Sequence, residues 1–129
     1  MATTAGLTTL RLATDEVYER IDGSARVVRE AAGAALAETG VPHVVQNVGN
    51  MFSVFFTDEG VTEVPDFATA SAQHAERFKA FFHSMLAQGV YLPPSAFEIW
   101  FLSSAHDDRA LDRVLAALPS AARAAGAVR

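Results

Sequence analysis

The sequence predicts an α+β domain: a small, mostly antiparallel sheet with helices packed on one face. Three observations predict it. Apolar residues recur at steps of three and four from Leu7 to Leu36, and again in two later stretches, which is the period of a helix with one buried side. Two strand-like runs, His43 to Val48 and Met51 to Thr57, are joined by Gly49-Asn50, a pair that suits a hairpin. The 129 residues contain no internal repeat and no low-complexity linker, so residues 1–129 read as a single domain.

The first periodic stretch divides near Thr14, an N-cap type followed by Asp15 and Glu16, whose charge suits the positive end of a new helix. The helix before it starts without a capping residue, and its stripe of Leu7 and Leu10 looks cut from a longer element that docks on something. Gly40 and Val41-Pro42 close the second helix. At Gly49 the hairpin is expected to take a type II′ turn, with glycine supplying the positive φ. Phe52, Val54 and Phe56 fall on one face of the second strand, and Met51, Ser53 and Phe55 on the other. Both faces are largely apolar, so the strand is expected to be covered on both sides.

Asp58 to Asp66 reads as a polar loop. A third helix is predicted from about Thr69 to Gln88, with His74, Phe78, Phe81, Phe82, Met85 and Leu86 on its buried side. Val90-Tyr91-Leu92 reads as a short strand ending at Pro93-Pro94, and Ser95 to Ser104 as extended or irregular. Asp107 is the expected cap of a last helix whose inner face carries Leu111, Val114, Leu115 and Leu118. Pro119 is expected to kink or end that helix and leave a fraying Ala-rich tail.

The formal net charge is −5 and the ten basic residues are dispersed. That excludes a nucleic-acid stripe and a polybasic membrane anchor. There is no cysteine, hence neither a disulfide nor a thiolate site. No signal peptide or membrane-length apolar run is visible, and a cytoplasmic location is expected.

Chemistry-bearing motifs are sparse. His43, His74, His83 and His106 lack the spacing of a zinc site and read as surface or core-edge residues. Ser53, Ser95, Ser103 and Ser104 sit in no nucleophile elbow, and no phosphate-binding glycine loop is present. Lys79 is the single lysine, against nine arginines. Beside Glu76 and Arg77 it reads as a helix-surface residue rather than a desolvated Schiff-base amine. Glu98 stands in the most aromatic stretch, between Phe97 and Ile99-Trp100-Phe101. Its carboxylate is either on the solvent side of a strand or held at an apolar cleft.

The segment Gly89-Val-Tyr-Leu-Pro-Pro-Ser-Ala-Phe-Glu98, with Trp100-Phe101 and Ser103-Ser104-Ala105-His106, resembles the C-terminal region of glutamate-1-semialdehyde 2,1-aminomutase. Gly6 to Leu10, Thr14 to Tyr18, Gly49 to Thr57 and Arg77 to His83 are similar to that family in the same order, so the resemblance covers essentially the whole chain. It implies the C-terminal small domain of a pyridoxal-phosphate enzyme that works as a homodimer in tetrapyrrole synthesis. That isomerase makes 5-aminolevulinate from glutamate 1-semialdehyde. The Schiff-base lysine and the cofactor grip belong to a large domain that this chain lacks.

The implication is therefore a chain that is silent alone, with no catalytic, cofactor-binding or metal-binding residue of its own. Its substrate-end residues are Glu98, flanked by Ser95 and Phe97, and the turn Gly49, Asn50 and Met51. No cofactor is expected on the isolated chain, and its partners are expected to be the large domain or a second copy of itself. The competing reading is a stand-alone docking or ligand-binding module derived from the same family.

Overall fold

The computed structural model describes residues 1–128. Helix α1 spans Ala2–Leu12 and helix α2 spans Asp15–Glu38. They separate at Ala13, and Thr14 occupies the N-cap of α2 with extended backbone, although its side chain makes no capping bond. Alpha-2 buries Ala25, Val28, Ala32, Ala35 and Leu36, whereas α1 buries nothing. Leu7 and Leu10, predicted to share the buried stripe, are exposed.

Strands β1 (His43–Val48) and β2 (Met51–Phe56) pair antiparallel, with Val48 opposite Met51 across Gly49-Asn50. Gly49 has φ +56° and Asn50 does not have positive φ, which is the type II′ pattern read from the sequence. The third strand is β3, Trp100–Phe101, which pairs with β2 through Phe52–Trp100 and Met51–Phe101. Sheet order is β1-β2-β3. The predicted strand at Val90–Leu92 does not form. Val90 and Leu92 are buried there, but the Val90 N–H turns back to the Met85 carbonyl at 3.0 Å, and the edge of β2 belongs to β3.

The predicted helix over 69–88 is two helices, α3 (Phe67–Ser71) and α4 (Ala75–Ala87). The break lies at Gln73 and His74. The His74 N–H donates to the carbonyl of Phe56 at 2.7 Å, a tertiary bond that replaces the intrahelical one. Asp66 caps α3 by accepting from the Thr69 N–H and hydroxyl, both at 2.8 Å. Of the predicted buried stripe, Phe78, Phe81 and Met85 are buried, His74 is half-buried and Leu86 is exposed.

Helix α5 spans Asp108–Gly126, and Asp107 accepts from the Ala110 N–H at 2.8 Å as its cap. Pro119 neither ends the helix nor frees its tail. Ala117, Ala121, Ala122 and Ala125 are buried in the core beside α2 alanines, and small residues let two backbones approach closely enough to offset one missing N–H.

The helices pack on the Phe52–Val54–Phe56 face of the sheet. Phe52, Phe56, Phe81, Leu36, Met85 and Leu118 form the fully buried centre, with Phe52 and Trp100 rings 5.2 Å apart and Phe56 and Phe81 rings 5.6 Å apart. The opposite face is covered only at one end. Gln46 accepts from the Val64 N–H at 2.7 Å, which draws the 58–66 loop over it. Met51, Ser53 and Phe55 stay half-buried, so the expectation of a strand covered on both sides holds for one face and part of the other.

Candidate functional site

Ser95 and Glu98 close a tight turn after Pro93-Pro94. The Glu98 N–H donates to the Ser95 carbonyl at 3.1 Å, and the Phe97 N–H to the Ser95 hydroxyl at 3.2 Å. In return, the Glu98 carboxylate accepts from the Ser95 N–H through Oε2 at 3.4 Å. The carboxylate is exposed and faces no cation within ion-pairing range among the described residues.

Two residues outside the turn hold it. Gln73, only 8% exposed, donates from Nε2 to the Ala96 carbonyl at 3.2 Å. Phe67, on α3, packs on Phe97 with ring centroids 5.9 Å apart. The Asp66 carboxyl that starts α3 is held below its ordinary pKa, chiefly by the Thr69 N–H and then by the Thr69 hydroxyl. The break between α3 and α4 therefore sets the geometry of residues 95–98. Neither Gln73 nor Phe67 was singled out from the sequence, where Gln73 sits among Ser71, Ala72, His74 and Ala75 with no pattern that marks it.

Gly49, Asn50 and Met51 lie elsewhere on the sheet. The pairs Met51–Phe101 and Phe52–Trp100 put the hairpin turn beyond one end of the β2–β3 ladder and Glu98 beyond the other. The six predicted substrate-end residues thus form two groups, Ser95–Phe97–Glu98 and Gly49–Asn50–Met51. Ile99 stands between them, lining both the half-open sheet face beside Met51, Ser53 and Phe55 and an apolar groove of about 310 Å³ bounded by Leu92, Trp100, Phe101 and Leu111.

Lys79 is exposed and lies 3.6 Å from Glu76, which leaves its amine solvated rather than held in an apolar pocket. A solvated amine of this kind does not match the desolvated setting that activates a Schiff-base lysine. The described residues contain no group of three or more His, Asp or Glu able to hold a metal ion. Ser103 Oγ lies 3.1 Å from His106 Nδ1, but that nitrogen already accepts from the Ser103 N–H at 3.0 Å. The pair is a loop cap, not a nucleophile with a free base.

No protein-family model matches the chain. Among solved structures, one described as "Transaminase with PLP bound" is similar over 90% of this chain, with TM-score 0.67 and 22% identity. An omega-transaminase from Sphaerobacter thermophilus is similar over 94%, with TM-score 0.74 and 21% identity. The chain spans 25% and 27% of those two chains. At these identities the likeness is one of fold: a three-stranded antiparallel sheet with helices on one face, as in a segment of each transaminase.

Proposed function

We propose that the chain is the small domain of a pyridoxal-phosphate enzyme of aminotransferase fold, and that the enzyme is glutamate-1-semialdehyde 2,1-aminomutase. The observation that carries the proposal is the similarity of nearly the whole chain to about a quarter of an omega-transaminase. The Ser95-Ala96-Phe97-Glu98 resemblance then selects the aminomutase within that fold.

In this reading the cofactor and its chemistry are supplied by another domain. This chain contributes the Glu98 carboxylate on a held turn, where it attracts and orients an amino group of the substrate. Gly49, Asn50 and Met51 shape a second edge of the substrate end. In the same reading the isolated chain is catalytically silent, which the exposure of its single lysine, Lys79, beside Glu76 supports.

The exposed Leu7, Leu10 and Leu12 of α1, with Phe101 and Ile99 on the half-open sheet, form surfaces that suit a docked neighbour. Alone, the chain is expected to self-associate through them, and a monodisperse monomer in sedimentation counts against that. The identity itself is tested by the mass of the native polypeptide in source cells, detected with an antibody against this chain. A band several times heavier than 13.8 kDa supports the small-domain reading. A band at 13.8 kDa overturns it in favour of a stand-alone module.

A further inference from the structure

Strand β1 is one edge of the sheet, and its pairing with β2 shows which of its backbone groups remain unused. In an antiparallel ladder, alternate residues exchange hydrogen bonds with the neighbour, and the residues between them point theirs away. Val48 closes the two-residue turn opposite Met51, and just beyond the other end of the strand the Thr57 N–H donates to the Pro42 carbonyl at 3.1 Å. The positions that face β2 are therefore Pro42, Val44, Gln46 and Val48. His43, Val45 and Asn47 turn their N–H and C=O groups to the outer edge, where none has a partner among the described residues.

Natural sheets blunt such an edge with charged side chains, proline, a bulge or a cover. Here no Asp, Glu, Lys or Arg occurs from Thr39 to Thr57, in a chain where those residues make up 19%. The register runs from His43–Phe56 to Val48–Met51 without a bulge, and β1 contains no proline. Helix α2 meets the strand through its side chains. A Cβ on Gly33 would stand 3.7 Å from His43 Nε2 and 3.8 Å from Val45 Cγ2, so the helix lies against the face of β1. The hydrogen bond from the 58–66 loop ends on the Gln46 side chain and leaves the backbone edge untouched. Gln46, Asn47 and Val48 are exposed.

We propose that this edge pairs with the β1 edge of a second copy of the chain, antiparallel about a two-fold axis, to make one sheet that runs through both copies. Val45 then stands opposite the partner's Val45, and His43 opposite the partner's Asn47. In this two-fold register every outward N–H and C=O finds a partner. The edge selects a copy of itself: the register sets a β-branched pair at its centre and brings no like charges face to face. The axis is perpendicular to the sheet and keeps the helices of both copies on one face. Where α2 nears β1 it carries Gly33 and Ala37, small residues that leave room for the partner's helix. The contact uses neither α1 nor Glu98, so it stands apart from the aminomutase reading and from self-association through the α1 leucines.

The test follows amide exchange residue by residue as protein concentration rises, with sedimentation of the same samples. The expected result is a dimer whose formation slows exchange at His43, Val45 and Asn47 by about ten-fold or more. The amides of Val44, Gln46 and Val48, already held by β2, are expected to change far less. Asn47→Pro removes one outward N–H without touching the ladder to β2. It is expected to weaken the dimer about ten-fold or more, since both copies lose a bond. The alternation in exchange needs no variant, so the proposal is tested even if Asn47→Pro does not fold. A chain that stays monomeric at every concentration overturns it. Association that leaves exchange at Val45 and Asn47 unchanged does the same, and assigns the contact to α1 or the half-open sheet face. Protection of those amides in the dilute monomer would mean that the chain covers its own edge, which is equally fatal, as is a folded Asn47→Pro variant that dimerises like the parent.

Discussion

Gln73 donates its side-chain amide to the carbonyl of Ala96, 3.2 Å away and 23 positions along the chain. The bond spans from the gap between α3 and α4 to the turn that presents Glu98. It is the single side-chain hydrogen bond from outside that reaches residues 95–98 among the described residues.

Gln73→Ala is therefore expected to lower stability by about 1–3 kcal/mol, because the Ala96 carbonyl loses its partner in a partly buried place. Urea unfolding measures the loss, and hydrogen exchange at the Glu98 amide locates it. Unchanged exchange at Glu98 would mean that Phe67 alone positions the turn.

Pro119 gives the opposite sign. It is exposed within the continuous helix α5, where it withholds one N–H and crowds the preceding turn. Pro119→Ala is expected to raise stability by about 1–3 kcal/mol, read as a higher denaturation midpoint with an unchanged slope. A fall in stability would show that α5 needs the distortion to pack its alanine face.

One substitution at two glycines separates backbone geometry from packing. An added Cβ meets nothing within 4 Å at either Gly23 or Gly49. Gly49 holds φ +56°, so Gly49→Ala is expected to cost about 1–2 kcal/mol. Gly23 lies inside α2, so Gly23→Ala is expected to add up to about 1 kcal/mol. Thermal unfolding of the two variants checks the pair of signs.

Asp66 makes the start of α3 sensitive to acid. Its folded pKa is depressed by Thr69, so the carboxylate contributes stability above its unfolded pKa and loses it as pH falls through the folded value. The loss is expected to begin below roughly pH 4. Asp66→Asn keeps a capping oxygen without the titration. Melting curves against pH are expected to show a shallower acid limb for the variant.

Elements that rest on local chemistry were legible in the sequence. Thr14 marks a helix boundary, Gly49-Asn50 the two-residue hairpin turn and Asp107 a cap, because a few neighbouring atoms decide each of them. The break at Gln73–His74 was not legible, since it depends on a bond to Phe56 and another to Ala96, both distant in sequence. Val90–Leu92 alternates like a strand, yet Trp100–Phe101 holds the edge it would have used. For the site, Glu98 alone stands out from the residue pattern, as a carboxylate in an aromatic run, whereas Ser95 and Phe97 enter only through the family resemblance.

The seam between α2 and α5 has a kinetic consequence. Ala32 and Ala121 both belong to the buried core, and joining the two helices closes a loop of roughly ninety residues, an entropic cost that nearby pairs such as the hairpin avoid. The hairpin and the α4–α5 pair are free to form early from close neighbours, while α2 waits for the far end of the chain. On a ribosome, the hairpin can cover only part of the apolar stripe of α2, and the rest stays open until α5 has left the exit tunnel. Slow synthesis across residues 39–107 lengthens that exposure, and a chaperone that shields α2 during that interval protects the nascent chain from aggregation.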